Sequence, residues 1–168
     1  MRTMDQHDEA TRTKVIDMVK DLKIAMLSTR GPDGKFHSRP MAVSDAEFKG
    51  TLYFLTDVRS GKVHDLETDP ETIVTFSDHK DQKYVAMRGR GRLTTDKTAI
   101  RDHWTATAKA WFPKGVDDPD IALISVDIED AEYWDAPSRK MVVLYAYAKA
   151  AITGQKPGNV GEHERISL

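Results

Sequence analysis

Cysteine is absent from this 168-residue chain, which excludes disulfide frameworks, thiolate zinc sites and a cysteine nucleophile. An excess of one charge is missing too: 25 Lys and Arg stand against 27 Asp and Glu, for a formal charge of -2. No global field therefore draws nucleic acid or an anionic membrane, and any polyanion site has to be local. The longest apolar run, Met141 to Ala148, is far too short to span a bilayer. Met1 to Arg12 is polar and acidic, without the basic-then-apolar order of a secretory signal, so a soluble, cytoplasmic protein is expected. There is no internal repeat, no low-complexity segment and no Gly-x-Ser-x-Gly elbow. The histidines, at 7, 37, 64, 79, 103 and 163, form no i, i+4 pair, and the loop Asp117-Asp118-Pro119-Asp120 lacks the length and glycine of a calcium loop. No metal is expected.

What is present suits one domain, residues 1–168, with 39% hydrophobic and 31% charged residues. Thr11 to Leu22 places Val15, Ile16, Val19 and Leu22 on one helical face. Ile24 to Thr29 reads as a strand, and Arg30-Gly31-Pro32-Asp33-Gly34 turns it back into the strand Phe36 to Val43. A second reversal leads to Thr51 to Thr56, so a three-stranded meander is predicted. A helix starts near Ser60 and ends before Pro70, and Thr72 to Asp78 and Tyr84 to Leu93 form a further strand pair. Thr95 or Asp96 opens another helix. Pro113, Gly115 and Pro119 break the chain before two apolar strands, Ile121 to Ile128 and Ala131 to Trp134. A helix is predicted from Met141 to Thr153, ending at Gly154, and 155–168 reads as a polar tail. Six or seven strands in hairpin order, with helices at the edges, predict a mainly β (α+β) fold, a small antiparallel barrel.

Two neighbouring stretches carry chemistry. Leu52 to Lys62 reads as strand, turn and helix start, with Ser60 as cap and Arg59 and Lys62 beside it. The unpaired amides of a helix N-terminus, a hydroxyl and a lysine suit a phosphate dianion, although an ordinary cap and an exposed lysine have the same signature. In Phe36 to Met41, Pro40 cannot donate to a ladder and marks an edge or bulge with backbone groups to spare for a ligand. Arg39 reads as a solvated strand residue or as a cation near the pyrimidine edge of a flat ring. Trp111 and Phe112 fit core, interface or ring contact. Arg88, Arg90 and Arg92 share one strand face, but without interleaved aromatics a solvated or ion-paired face is expected there rather than nucleic-acid binding.

Several segments together resemble the flavin-binding split barrels related to pyridoxamine 5'-phosphate oxidase, in particular their bacterial general stress protein branch. They are Ser38-Arg39-Pro40-Met41, Phe54-Leu55-Thr56 through Ser60-Gly61-Lys62, the Gly89 and Gly91 strand, Trp111-Phe112-Pro113-Lys114-Gly115, Ala131-Glu132-Tyr133-Trp134-Asp135 and Gly161-Glu162-His163. The resemblance spans nearly the whole chain. It implies a six- to seven-stranded split β-barrel and a homodimer with FMN, or FAD, at the subunit interface. It further implies that Ser38, Arg39, Pro40 and Met41 border the isoalloxazine, that Leu55 and Thr56 pass under it, and that Ser60 and Lys62 hold the phosphate. Trp111 would come from the partner subunit. The arginine and histidine motif that contacts substrate in the oxidases has no counterpart here, since Glu162-His163-Glu164-Arg165 has the wrong arrangement. Vitamin B6 oxidation is therefore not expected. The resemblance implies a stress-related, flavin-dependent oxidoreductase with electron donor, substrate and catalytic residues unassigned. The alternative is a non-catalytic module that stores or senses flavin.

Overall fold

The structure, a computed structural model, describes residues 6–44, 47–135 and 162–167. Helix α1 (Gln6–Val19) leads into the hairpin β1 (Ile24–Arg30) and β2 (Phe36–Ala42). Strand β3 (Thr51–Asp57), helix α2 (Gly61–Thr68), strands β4 (Glu71–Asp78) and β5 (Lys83–Thr94) and the short helices α3 (Lys97–Asp102) and α4 (Ala108–Trp111) follow. Strands β6 (Ile121–Asp135) and β7 (Glu162–Ser167) complete the described fold. The strands form one antiparallel seven-stranded sheet in the order β2-β1-β4-β5-β6-β3, with β7 also on β6. No helix among the described residues is long and apolar enough to cross a membrane.

Alternation along the strands produces the main core. Leu52 and Phe54 of β3, Val74 and Phe76 of β4, Val85 and Met87 of β5 and Val126 of β6 point to one side and are buried together. Val15, Met18 and Val19 of α1 close over this core at helical spacing. A smaller cluster lies on the opposite face of β3 and β6, where Tyr53 and Leu55 meet Ile100 of α3, Ile121, Trp104 and Phe112. The Asp96 side chain accepts from the Ala99 amide and caps α3, as the sequence predicts.

Three expectations are corrected. β3 does not continue a meander: it crosses over to pair with β6, Thr51 opposite Asp127 through Asp57 opposite Ile121. Ile121, Ala122, Leu123 and Ile124 are all buried, so this half of β6 is covered on both faces and sits inside the sheet with a neighbour on each side. The two strands expected between 121 and 134 are one strand through a β-bulge, where Glu129 is the extra residue opposite Arg88 and Gly89. The acidic pair Glu129-Asp130 makes no turn, because both carboxylates face the Arg88 guanidinium. The end of the tail is also structured. Glu162–Ser167 pairs with β6 and buries Ile166 in the main core. The helix predicted over 141–153 lies outside the described residues.

β2 and β3 stand at the two ends of the strand order and are not paired with each other; just past β2 the Ser44 amide donates to the Tyr53 carbonyl at 2.8 Å. The two strands carry no ladder between them, and a cavity opens at this split. The bulge that bends the long β5–β6 ladder depends on Gly89: a Cβ there would lie 2.2 Å from the Asp127 carbonyl oxygen. Gly89→Ala is expected to destabilise the protein by about 2–4 kcal/mol through forced backbone displacement, read as a lower denaturant midpoint with unchanged slope. A variant as stable as the wild type would show that the bulge relaxes freely.

Candidate functional site

A cavity of about 660 Å³ fills the split, lined by β2, the end of β3, the start of α2 and the segment from His103 to Lys114. Its size is that of a small-molecule site. Arg39, Pro40, Met41, Leu55, Thr56, Lys62 and Trp111 all line it. These are seven of the nine residues singled out from the sequence. Ser60 stands one layer behind the wall, its hydroxyl 3.1 Å from that of Thr56. Ser38 is not part of the lining, and its hydroxyl shares a 2.5 Å hydrogen bond with Ser28 across the β1–β2 register. Trp111, expected from a second copy, borders the cavity of its own chain and is 79% exposed.

The electrostatics concentrate at one end. Helix α2 begins at Ser60, whose side chain makes no capping bond, and among the described residues the Gly61 and Lys62 amides have no partner. These are the orphan donors that a helix start presents. Burial pushes the Lys62 ammonium below its ordinary value, and the nearby Arg39 guanidinium pushes it further; Asp57 only partly opposes them. Arg39 is itself lowered by burial, against the pull of Asp65. Two cations thus share a partly dehydrated corner where burial disfavours both and Arg39 further disfavours Lys62, an arrangement that an anion would relieve.

A buried carboxylate holds one of them. Asp65, on the inward face of α2, is only 4% exposed. Its Oδ2 accepts from the Thr29 hydroxyl at 2.7 Å and lies 3.5 Å from Arg39 Nη2 and 3.6 Å from His37 Nδ1. The Thr29 hydroxyl in turn accepts from Arg39 Nη1 at 2.7 Å, so Thr29 bridges the two charges. Breaking a buried pair of this kind costs about 3–5 kcal/mol, which makes Asp65 the anchor of both α2 and Arg39. Nothing in the sequence marks it apart from other helical acids.

Arg59, read from the sequence as a phosphate neighbour, is already engaged. It grips Asp57 through Nε at 3.1 Å and Nη2 at 2.8 Å, and Asp120 at 3.4 Å. The side-chain bond from Arg59 holds the Asp57 carboxyl down to about 2. At the other end of the cavity His103, unremarked among scattered histidines, stacks on Tyr53 with ring centres 3.7 Å apart.

The remaining charged features lie elsewhere. Arg88 pairs with Asp130 and Arg92 with Asp127, so these two arginines of the basic stripe are ion-paired. His163 stacks on Trp134 and meets Glu132 at 2.5 Å, and Arg165 faces Asp130, which fixes both tail residues on β6 outside the cavity wall. Among the described residues no group of three or more His, Asp or Glu could hold a metal ion.

Comparison with known proteins agrees with this architecture. The model of the family described as Pyridoxamine 5'-phosphate oxidase like matches residues 10–158. Protein bli-3 of Neurospora crassa is 32% identical over 157 residues, covering 86% of this chain and 74% of that protein. General stress protein 26 of Bacillus subtilis is 25% identical over 144 residues, 84% of this chain and 99% of that protein. The crystal structure of the general stress FMN/FAD binding protein from Xanthomonas citri superposes with a TM-score of 0.65 at 26% identity, over 76% of this chain and 89% of that one. With a family match across most of its length and a shared antiparallel fold, the chain belongs to the pyridoxamine 5'-phosphate oxidase-like family.

Proposed function

We propose that the protein is a flavoprotein whose cavity takes FMN, or the FMN half of FAD, and that it acts as a flavin-dependent oxidoreductase. The observation that carries this reading is the pair of half-buried cations, Lys62 and Arg39, beside the open amides at the start of α2. The donor set fits a phosphate dianion: two cations, the open amides at the start of α2 and the Thr56 hydroxyl meet there, with the Ser60 hydroxyl behind that of Thr56. Arg39 then serves the phosphate rather than the pyrimidine edge of the ring. The wall running away from this corner, Pro40, Met41 and Leu55, is apolar enough to pack a flat ring, and Trp111 overhangs the mouth. The flavin supplies the hydride or electron transfer; these residues bind it, orient it and exclude water from its buried face.

The reading includes a second copy of the chain. β2 is an edge strand exposed along most of its length. With β1 it presents Ile24 at 57% exposure, Phe36 at 52% and Met26 at 40%. Ile24, Pro40 and Ala42 belong both to this apolar strip and to the cavity wall. A partner laid on the strip would cover the unpaired edge and close the cavity in one step.

Purified protein is expected to quench flavin fluorescence on titration, and protein that stays colourless and leaves the fluorescence unchanged overturns the reading. Lys62→Ala should weaken FMN by at least about tenfold while leaving riboflavin nearly unaffected, because only FMN carries the phosphate; equal losses remove Lys62 from that role. Steady oxidation of NADH or NADPH with an electron acceptor, above the rate with free flavin, is expected of the oxidoreductase, whereas a passive binding module gives none. For the second copy, Met26→Lys should shift the mass in solution from dimer to monomer while changing the unfolding free energy of the monomer by no more than about 0.5 kcal/mol. A wild-type protein that is monomeric at all concentrations contradicts the shared site.

A further inference from the structure

The cavity has a second end, and it is built differently from the phosphate corner. Arg39 lies in β2, which ends at Ala42, and Ser44 follows two residues later, five residues from Arg39, a span of at most roughly 16 Å at about 3.3 Å per residue. The Ser44 hydroxyl donates to the His103 carbonyl at 3.3 Å. His103 thus stands in the wall at the far end from Lys62, where a ring anchored by its phosphate would reach.

Three observations fix what this histidine can do. Its backbone is tied on both sides, the amide to the end of α3 and the carbonyl to Ser44. Its ring is laid on Tyr53 at 3.7 Å with planes 17° apart, so its orientation is set by packing. Its Nδ1 is buried and has no hydrogen-bond partner among the described residues, while the residue as a whole is only half-buried and lines the cavity, so its open part lies away from Nδ1. A proton on Nδ1 would be a buried donor without an acceptor, and an orphaned N–H is rarer and costlier than an orphaned lone pair. The proton of the neutral ring therefore belongs on Nε2.

We infer that His103 is held as the neutral Nε2–H tautomer and donates a hydrogen bond into the cavity, to a carbonyl oxygen or ring nitrogen of the bound heteroaromatic ligand. The ligand half of this inference rests on the flavin reading above; the tautomer does not. Burial also pushes the His103 imidazolium below its ordinary 6.5, with Asp102 opposing, which keeps the ring neutral at physiological pH. The role is ligand positioning: a donor fixed by stacking at one end and a phosphate grip at the other define both the angle and the depth of the ring.

Two measurements test it. Nitrogen NMR of histidine-labelled, ligand-free protein should show His103 neutral at pH 7 with its proton on Nε2; a proton on Nδ1, or an imidazolium, overturns the inference. In titrations with riboflavin and with FMN, His103→Phe, which keeps the stack on Tyr53, should weaken both ligands by the same factor of about tenfold. His103→Gln, whose amide can present a donor near the Nε2 position, should recover most of that loss. A Phe variant that binds like the wild type, or a Gln variant as weak as Phe, overturns the donor role, with thermal melts confirming that both variants fold. Wild-type protein that binds neither FMN nor riboflavin overturns the flavin reading and the ligand half of the inference, leaving the tautomer to be judged by its spectrum.

Discussion

The Asp65 carboxylate is the point on which the site depends. It is almost wholly buried on α2, it takes the Thr29 hydroxyl, and it faces Arg39 and His37 from the β1–β2 hairpin. A charge in that position is tolerated only because a hydroxyl and a guanidinium compensate it together. In return it docks the start of α2 against the hairpin and aims Arg39 toward the same corner as Lys62. Without that contact the helix start, the lysine and the arginine would be three separate surface features. With it they form one cationic corner, in which Thr29 bridges Arg39 to Asp65 and Asp57 is occupied by Arg59.

The sheet supplies the rest of the geometry by failing to close. β6 is apolar on both faces over its first half and takes β3 and β5 as neighbours, which draws β3 away from β2. β2 and β3 share no ladder, the Ser44 amide just past β2 reaches the Tyr53 carbonyl, and the cavity is walled in part by residues of both strands. The α3–α4 segment packs its own small core on the outer face of β3, and this brings His103 and Trp111 to the opening. One split therefore collects residues from four stretches of sequence that have no local relation to one another.

Much of this was legible before any coordinates. The strand-turn-helix ending at Lys62, the proline-marked edge strand and the Asp96 cap are local signals, and each element lies within a residue or two of where its signal places it. Six of the nine residues that the resemblance assigns share the cavity wall from two segments joined by a short connection, and Trp111 joins them from α4. What failed was non-local. The pairing of β3 with β6 depends on which strand needs covering on two faces. The single strand through Glu129 depends on Arg88 waiting across the ladder, and the strand character of 162–167 depends on a core position for Ile166.

By itself, then, the sequence determined the class of the fold, the absence of thiol chemistry and the place where a helix start and a lysine would offer themselves to an anion, because periodicity, capping and composition act over a few residues. The tertiary structure alone decided that Arg39 comes close to Lys62, that Arg59 is diverted to Asp57, that the Ser38 hydroxyl pairs with Ser28 and that His103 joins the cavity wall. Those outcomes depend on burial and on the meeting of charges far apart in the chain, and burial is a property no single segment possesses until the others have packed around it.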